Sequence, residues 1–175
     1  MSRSTRTERR RSSLRADERG TALVEFAMVA SLLLVLVLGV VEYGNAFSTV
    51  HTLSSLSRES ANLAARGATL GQAIDAALAG GAELALASRG GVVASRIAMR
   101  DGTPVVEEQA ASPGWAGGSR LGGLGGPAPE AGDWGLAEDQ IVYTVEIFYG
   151  YEPVTPFQGA FGLGIPETLY ERGIF

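Results

Sequence analysis

The stretch FAMVASLLLVLVLGVV, residues 26 to 41, decides how the rest of the chain is read. Only Ser31 and Gly39 interrupt its apolar character. Extended back through Thr21 to Val24, it reaches the ~20 residues that a helix rising ~1.5 Å per residue needs to cross ~30 Å of hydrocarbon. A transmembrane helix over residues 21 to 42 is expected, with Glu42 opening its far flank. Residues 1 to 20 carry seven Arg against Glu8, Asp17 and Glu18, a net +4 that leaves -9 on the remainder of a chain whose total is -5. Arginines placed directly before an apolar run follow the positive-inside bias of membrane insertion. The N-terminus is therefore expected in the cytoplasm and residues 43 to 175 outside it. A basic tip on an acidic body also fits a nucleic-acid arm, but the position of these Arg residues favours the membrane, and no nucleic-acid partner is expected.

Outward from the span the helical period continues. Val50, Leu53, Ser57, Ala61 and Ala64 share one arc, while His51, Ser55, Arg58, Glu59, Asn62 and Arg66 share the opposite one, so the helix should run to about Arg66. Gly67 is the stop and Thr69 the N-cap of a second amphipathic helix, whose stripe Leu70, Ala73, Ile74, Ala77, Leu78, Gly81, Leu84 and Ala85 opposes Gln72, Asp75 and Glu83. The period then changes. Val93, Ile97 and Met99 alternate with small or polar residues up to the hairpin signal Asp101-Gly102 and the short run Val105-Val106. A clearer strand spans Ile141 to Tyr149. Residues 111 to 135, rich in Gly, Pro, Ala and Ser, read as a mobile loop, and Pro153 to Phe175 as a tail packed irregularly on the sheet. The expected fold class is α+β: a long N-terminal helix, half in the membrane and half packed on a small antiparallel sheet, with a second helix.

Little of the sequence points to catalysis. There is no Cys, which excludes thiolate chemistry and disulfides, and His51 is the only His. Its place on the polar arc makes it a solvated surface residue. Asp101-Gly102 reads as a turn before a metal loop, and the Gly-rich 117 to 126 stretch lacks the Lys and the strand-to-helix context of a phosphate loop. No catalytic residue, metal ligand or cofactor is assigned. Trp115 and Trp134 fit two roles equally, partner contact or pins that fix the loop to the sheet.

The informative string is Arg19-Gly20-Thr21-Ala22-Leu23-Val24-Glu25-Phe26, in which a Gly closes the basic leader and a Glu follows five residues later, inside the apolar helix. A charge at the centre of a membrane helix costs about 2.5–3.5 kcal/mol, so such residues are usually paired or functional. Glu25 lies near the cytoplasmic end, where a carboxylate dipping into the headgroups is the simpler alternative. The string resembles the type IV prepilin processing signature, and the acidic residue followed by an aromatic most resembles its Tad (tight adherence) branch. Residues Ser57 to Gly67, Tyr151 to Pro156 and Thr168 to Arg172 are similar to TadE-like minor pilins, with residues 19 to 67 carrying most of the likeness.

The resemblance implies a leader of residues 1 to 20 removed by prepilin peptidase, with processing at Gly20 and Thr21. It implies assembly through Glu25 and Phe26, the carboxylate pairing with the N-terminal amine of a neighbouring subunit. Its partners would be the peptidase, other major and minor pilins, the inner-membrane assembly platform and the lipid bilayer, and its role that of a minor pilin or pseudopilin. Thr21 stands where type IV pilins usually have Phe, and Phe26 where Tad major pilins usually have Tyr. Two rivals remain at this stage. One is a secretory signal cleaved after Ala46, which the length of the apolar run opposes. The other is an anchored or secreted binding domain unrelated to pili.

Overall fold

In the computed structural model the structure describes residues 5 to 155 and 164 to 175, with side chains from Gly20 onward. Helix α1, Thr5–Ala65, runs without interruption through the basic leader, the apolar stretch and the amphipathic segment. It ends as the sequence predicts. Gly67 takes φ +100°, the Gly67 N–H donates to the Ala64 carbonyl and the Ala68 N–H to the Leu63 carbonyl, and this doubly bonded reversal stops the helix. Helix α2, Leu70–Gly80, starts on a reciprocal cap: Thr69 Oγ1 accepts from the Gln72 N–H and Gln72 Oε1 from the Thr69 N–H. It is shorter than its apolar stripe implies. The Gly80-Gly81 pair interrupts it, Ala82–Leu84 form a single tight turn, and Ala85 enters the left-handed region at φ 53° before the short helix α3, Leu86–Arg89, seats Leu86 in the core.

Four antiparallel strands follow: β1 Gly90–Arg100, β2 Thr103–Ala111, β3 Ile141–Gly150 and β4 Thr168–Ile174, in the spatial order β2-β1-β3-β4. The β1–β2 hairpin turns on Asp101 and Gly102, both at positive φ, the geometry that the Asp-Gly signal demands. Glu107 is a bulged residue, since Arg96 pairs with Glu108 and Ile97 with Val106. The α+β class thus holds, but the tail does not pack irregularly throughout. Residues 168 to 174 are a strand, joined to β3 over its whole length.

Both faces of the sheet are covered, and this sets the burial pattern. On one face Val92, Ala94, Val145, Ile147, Tyr149 and Leu169 meet the α1 stripe of Leu53, Ala61 and Ala64 and the α2 stripe of Ala73, Ile74 and Ala77. Gly173 brings β4 against the α1 backbone: a methyl group there would overlap the Ser57 carbonyl and stand 2.5 Å from the Arg58 nitrogen. On the other face, the segment expected as a mobile loop, residues 111 to 135, lies across the strands. Leu121, Ala128 and Ala131 pack on Ile97, Val106 and Val142, and Pro129–Trp134 forms a short 3-10 turn. Its composition is too poor in apolar groups to make a core of its own, yet these small residues suffice to cover one already built by the strands. The loop also bonds to the outer edge of β2. The Val106 N–H donates to Gly126, the Val106 carbonyl accepts from Gly125, and the Pro104 carbonyl accepts from Ala128.

Candidate membrane helix and its buried clasp

Among the described residues, the apolar part of α1 is not covered by the sheet or the other helices. Between Gly20 and Val41 the side chains stand largely exposed, among them Leu23, Phe26, Met28, Leu32 and Val40, and the helix is long and apolar enough to cross a membrane. Gly20, Thr21, Glu25 and Phe26 all lie on this exposed part, with Thr21 and Glu25 four residues apart and hence on one face of the helix. None of the four belongs to the buried core of the α+β part. Of the four, only Thr21 and Glu25 are polar, on an otherwise largely apolar stretch of helix.

The head domain takes hold of α1 at Glu42. This residue has no exposed surface, and its carboxylate accepts three hydrogen bonds from a segment more than a hundred residues away. Tyr151 Oη donates at 2.7 Å, the Thr155 N–H at 2.7 Å and the Val154 N–H at 3.2 Å. Asn45 Nδ2 completes the cluster by donating to Tyr151 Oη at 3.1 Å. Burial, reinforced by the hydrogen bond given to Glu42, pushes the Tyr151 hydroxyl above its ordinary range, so it stays a donor. The line Glu42, Ala46, Thr49 and Leu53 then continues as the buried face of the helix. Sequence reasoning treated Glu42 only as the far boundary of the span. The signal for more was Tyr151-Glu152-Pro153-Val154-Thr155-Pro156, singled out as family-like: residues 151 to 155 are the strap that binds Glu42, and Thr168 to Arg172 belong to β4.

A second buried carboxylate holds the covering loop. Glu146, on β3 and without exposed surface, accepts from Ser119 Oγ, from the Arg120 N–H at 2.9 Å and from Tyr170 Oη at 2.9 Å. Burial and then the Glu146 charge raise the Tyr170 hydroxyl well above its ordinary range. The Arg120 guanidinium lies 4.1 Å from the Tyr170 ring centre, and Trp115 stacks on Phe148 at 5.0 Å. Trp134 lies under Arg172, at 5.1 Å. Both Trp residues therefore pin the loop to the sheet, one of their two expected roles. His51 is exposed and stacks on Phe47 at 6.2 Å. Among the described residues no group of three or more His, Cys, Asp or Glu is placed to hold a metal ion.

Compared with known families, residues 20–62 match the family model TadE, described as TadE-like protein. The matched segment takes in the exposed apolar helix, Glu25 and Glu42, and ends within the stripe that α1 presents to the sheet. No curated protein and no solved structure matches the chain.

Proposed function

We propose that this chain, whose residues 20–62 match the TadE-like family model, is a Tad pilus-associated protein that acts as a minor pilin or pseudopilin and helps to assemble or tip a Tad-type pilus. In this reading prepilin peptidase removes residues 1 to 20 after Gly20. Residues 21 to 42 span the cytoplasmic (inner) membrane with the N-terminus inside, and the α+β head stands outside. Glu25 pairs with the new N-terminal amine of a neighbouring major or minor pilin, with Phe26 packing beside it, and the assembly platform in the inner membrane acts on the same helix. The protein binds and assembles; it does not catalyse.

The observation that carries the reading is Glu25, an exposed acidic side chain on a largely exposed apolar helix, five residues after Gly20. An unpaired carboxylate is disfavoured in hydrocarbon, while an opposite charge in low dielectric attracts it strongly, so pairing would fix the register between subunits. Mass spectrometry of the membrane-extracted protein should find Thr21 as the mature N-terminus; an intact leader or a start at Phe47 would remove the pilin reading. Glu25→Gln should leave insertion and cleavage intact while lowering both pilus number and co-purification with other pilins, because a neighbour's amine loses its partner. Unchanged assembly in that variant would return Glu25 to the role of a headgroup-level carboxylate.

A further inference from the structure

The apolar surface of α1 does not stop where its first outer charge appears. Glu42 is wholly covered, whereas Tyr43 is 53% and Phe47 73% exposed, on a line about 100° round the helix from Glu42 and Ala46. From Leu23 to Phe47 the helix is about 36 Å long, more than the ~30 Å of hydrocarbon, so its outermost turn reaches the interfacial layer where aromatic side chains gather. The strap stands at the same level. Two of its backbone N–H groups, those of Val154 and Thr155, bond directly to the Glu42 carboxylate, and the Val154 side chain is left 65% exposed. Beside it Glu152 is exposed and ion-paired to Arg89 at 2.6 Å. Two elements remote in sequence thus present large apolar side chains at one height, that of the outer end of the span.

We propose that the strap, residues 151 to 155, together with Tyr43 and Phe47, forms a collar that seats in the outer headgroup layer of the lipid bilayer. The proposal rests on the reading of residues 21 to 42 as a membrane span. The clasp is what makes such seating tolerable. An open carboxylate pressed against lipid would lose its water without replacement, but the Tyr151 hydroxyl and the two strap N–H groups supply the hydrogen bonds that water would have given. The exposed valine and aromatics then meet the acyl boundary while the Glu152–Arg89 pair meets the headgroups. While the subunit resides in the membrane, its head is held at the bilayer in one attitude instead of swinging on the helix.

The chain contains no Cys, so single cysteines can be placed and labelled cleanly. Val154→Cys, Phe47→Cys, Leu33→Cys and Leu124→Cys, each carrying an environment-sensitive fluorophore, would be compared in phosphatidylcholine–phosphatidylglycerol nanodiscs. Lipid nitroxides at the headgroup or deep in the acyl chain, and iodide in the water, serve as quenchers. Leu124 is exposed on the loop that shares a cleft with Thr69, beyond the far end of α1. The labels at 154 and 47 should be quenched by headgroup nitroxides at least about twofold more than the label at 124, and the label at 33 by the deep nitroxide. A label at 154 that behaves like the one at 124 overturns the collar and leaves the span in place. So does one shielded from iodide without lipid quenching, which would mean that a second protein covers it. A label at 33 in water removes both.

Discussion

Replacing Glu42 with Ala tests whether the clasp fastens the head to its helix. The substitution removes the acceptor for three donors, two of them on residues that are themselves buried, Tyr151 and Thr155, while the third, the N–H of exposed Val154, can turn to water. Each buried donor left without a partner costs about 1–3 kcal/mol, a gross loss of about 2–6 kcal/mol. Against this stands the relief of no longer holding a carboxylate away from water, about 2 kcal/mol, which takes the midpoint of that loss from about 4 to a net of about 2 kcal/mol. Glu42→Gln keeps one acceptor oxygen but sets an NH2 group among N–H donors, and should lose about half as much. Urea unfolding of the full chain in nanodiscs is a suitable assay, because both Trp residues lie in the head, at 115 and 134, and none in the span. The midpoint should drop in the order parent, Glu42→Gln, Glu42→Ala, with the slope unchanged. If Glu42→Ala stays within about 0.5 kcal/mol of the parent, as surface changes do, the clasp is no fastening and the argument from buried donors is wrong.

Two further outcomes follow from the packing and the titrating groups. Gly173→Ala places a methyl group in the backbone of α1 at Ser57 and should destabilise the head by about 3 kcal/mol in the same assay; a neutral result would show that β4 is free to move away from the helix. Above pH 10 the head should lose stability, because Tyr151 and Tyr170 hold their protons more tightly folded than unfolded. That contribution is fully present below their ordinary value of about 10 and is lost as pH rises toward the raised folded values. The sequence has no Lys to titrate in the same window, so a melting temperature that stays flat from pH 8 to about 11.5 would contradict the buried-tyrosine argument.

The long helix, its stop at Gly67, the cap at Thr69 and the turn at Asp101-Gly102 were legible because each depends on residues within one or two turns of chain. β4 was not. Its sequence, TLYERGI, puts Leu169 and Gly173 toward α1 and Tyr170 and Arg172 toward the covering loop, so both faces are occupied and the polar–apolar alternation that marks a one-sided strand is absent. Its closest approach is made by a glycine, which by composition argues against a strand. The covering loop is illegible for a related reason, since Leu121, Ala128 and Ala131 bury themselves against a surface that only the folded sheet provides. Of the candidate site, the pattern from Gly20 to Phe26 is local and readable. The role of Glu42 is not, because its donors lie more than a hundred residues away.

The bonds that the loop makes to the margin of β2 also bear on how the fold avoids pairing with other extended chains. A strand margin with free amides is a template on which any other extended chain can grow. Here Gly125, Gly126 and Ala128 have already taken the outward groups of Val106 and the Pro104 carbonyl, while Pro104 itself has no N–H to offer. Along this stretch the β2 edge of the sheet is sealed against adventitious strand exchange.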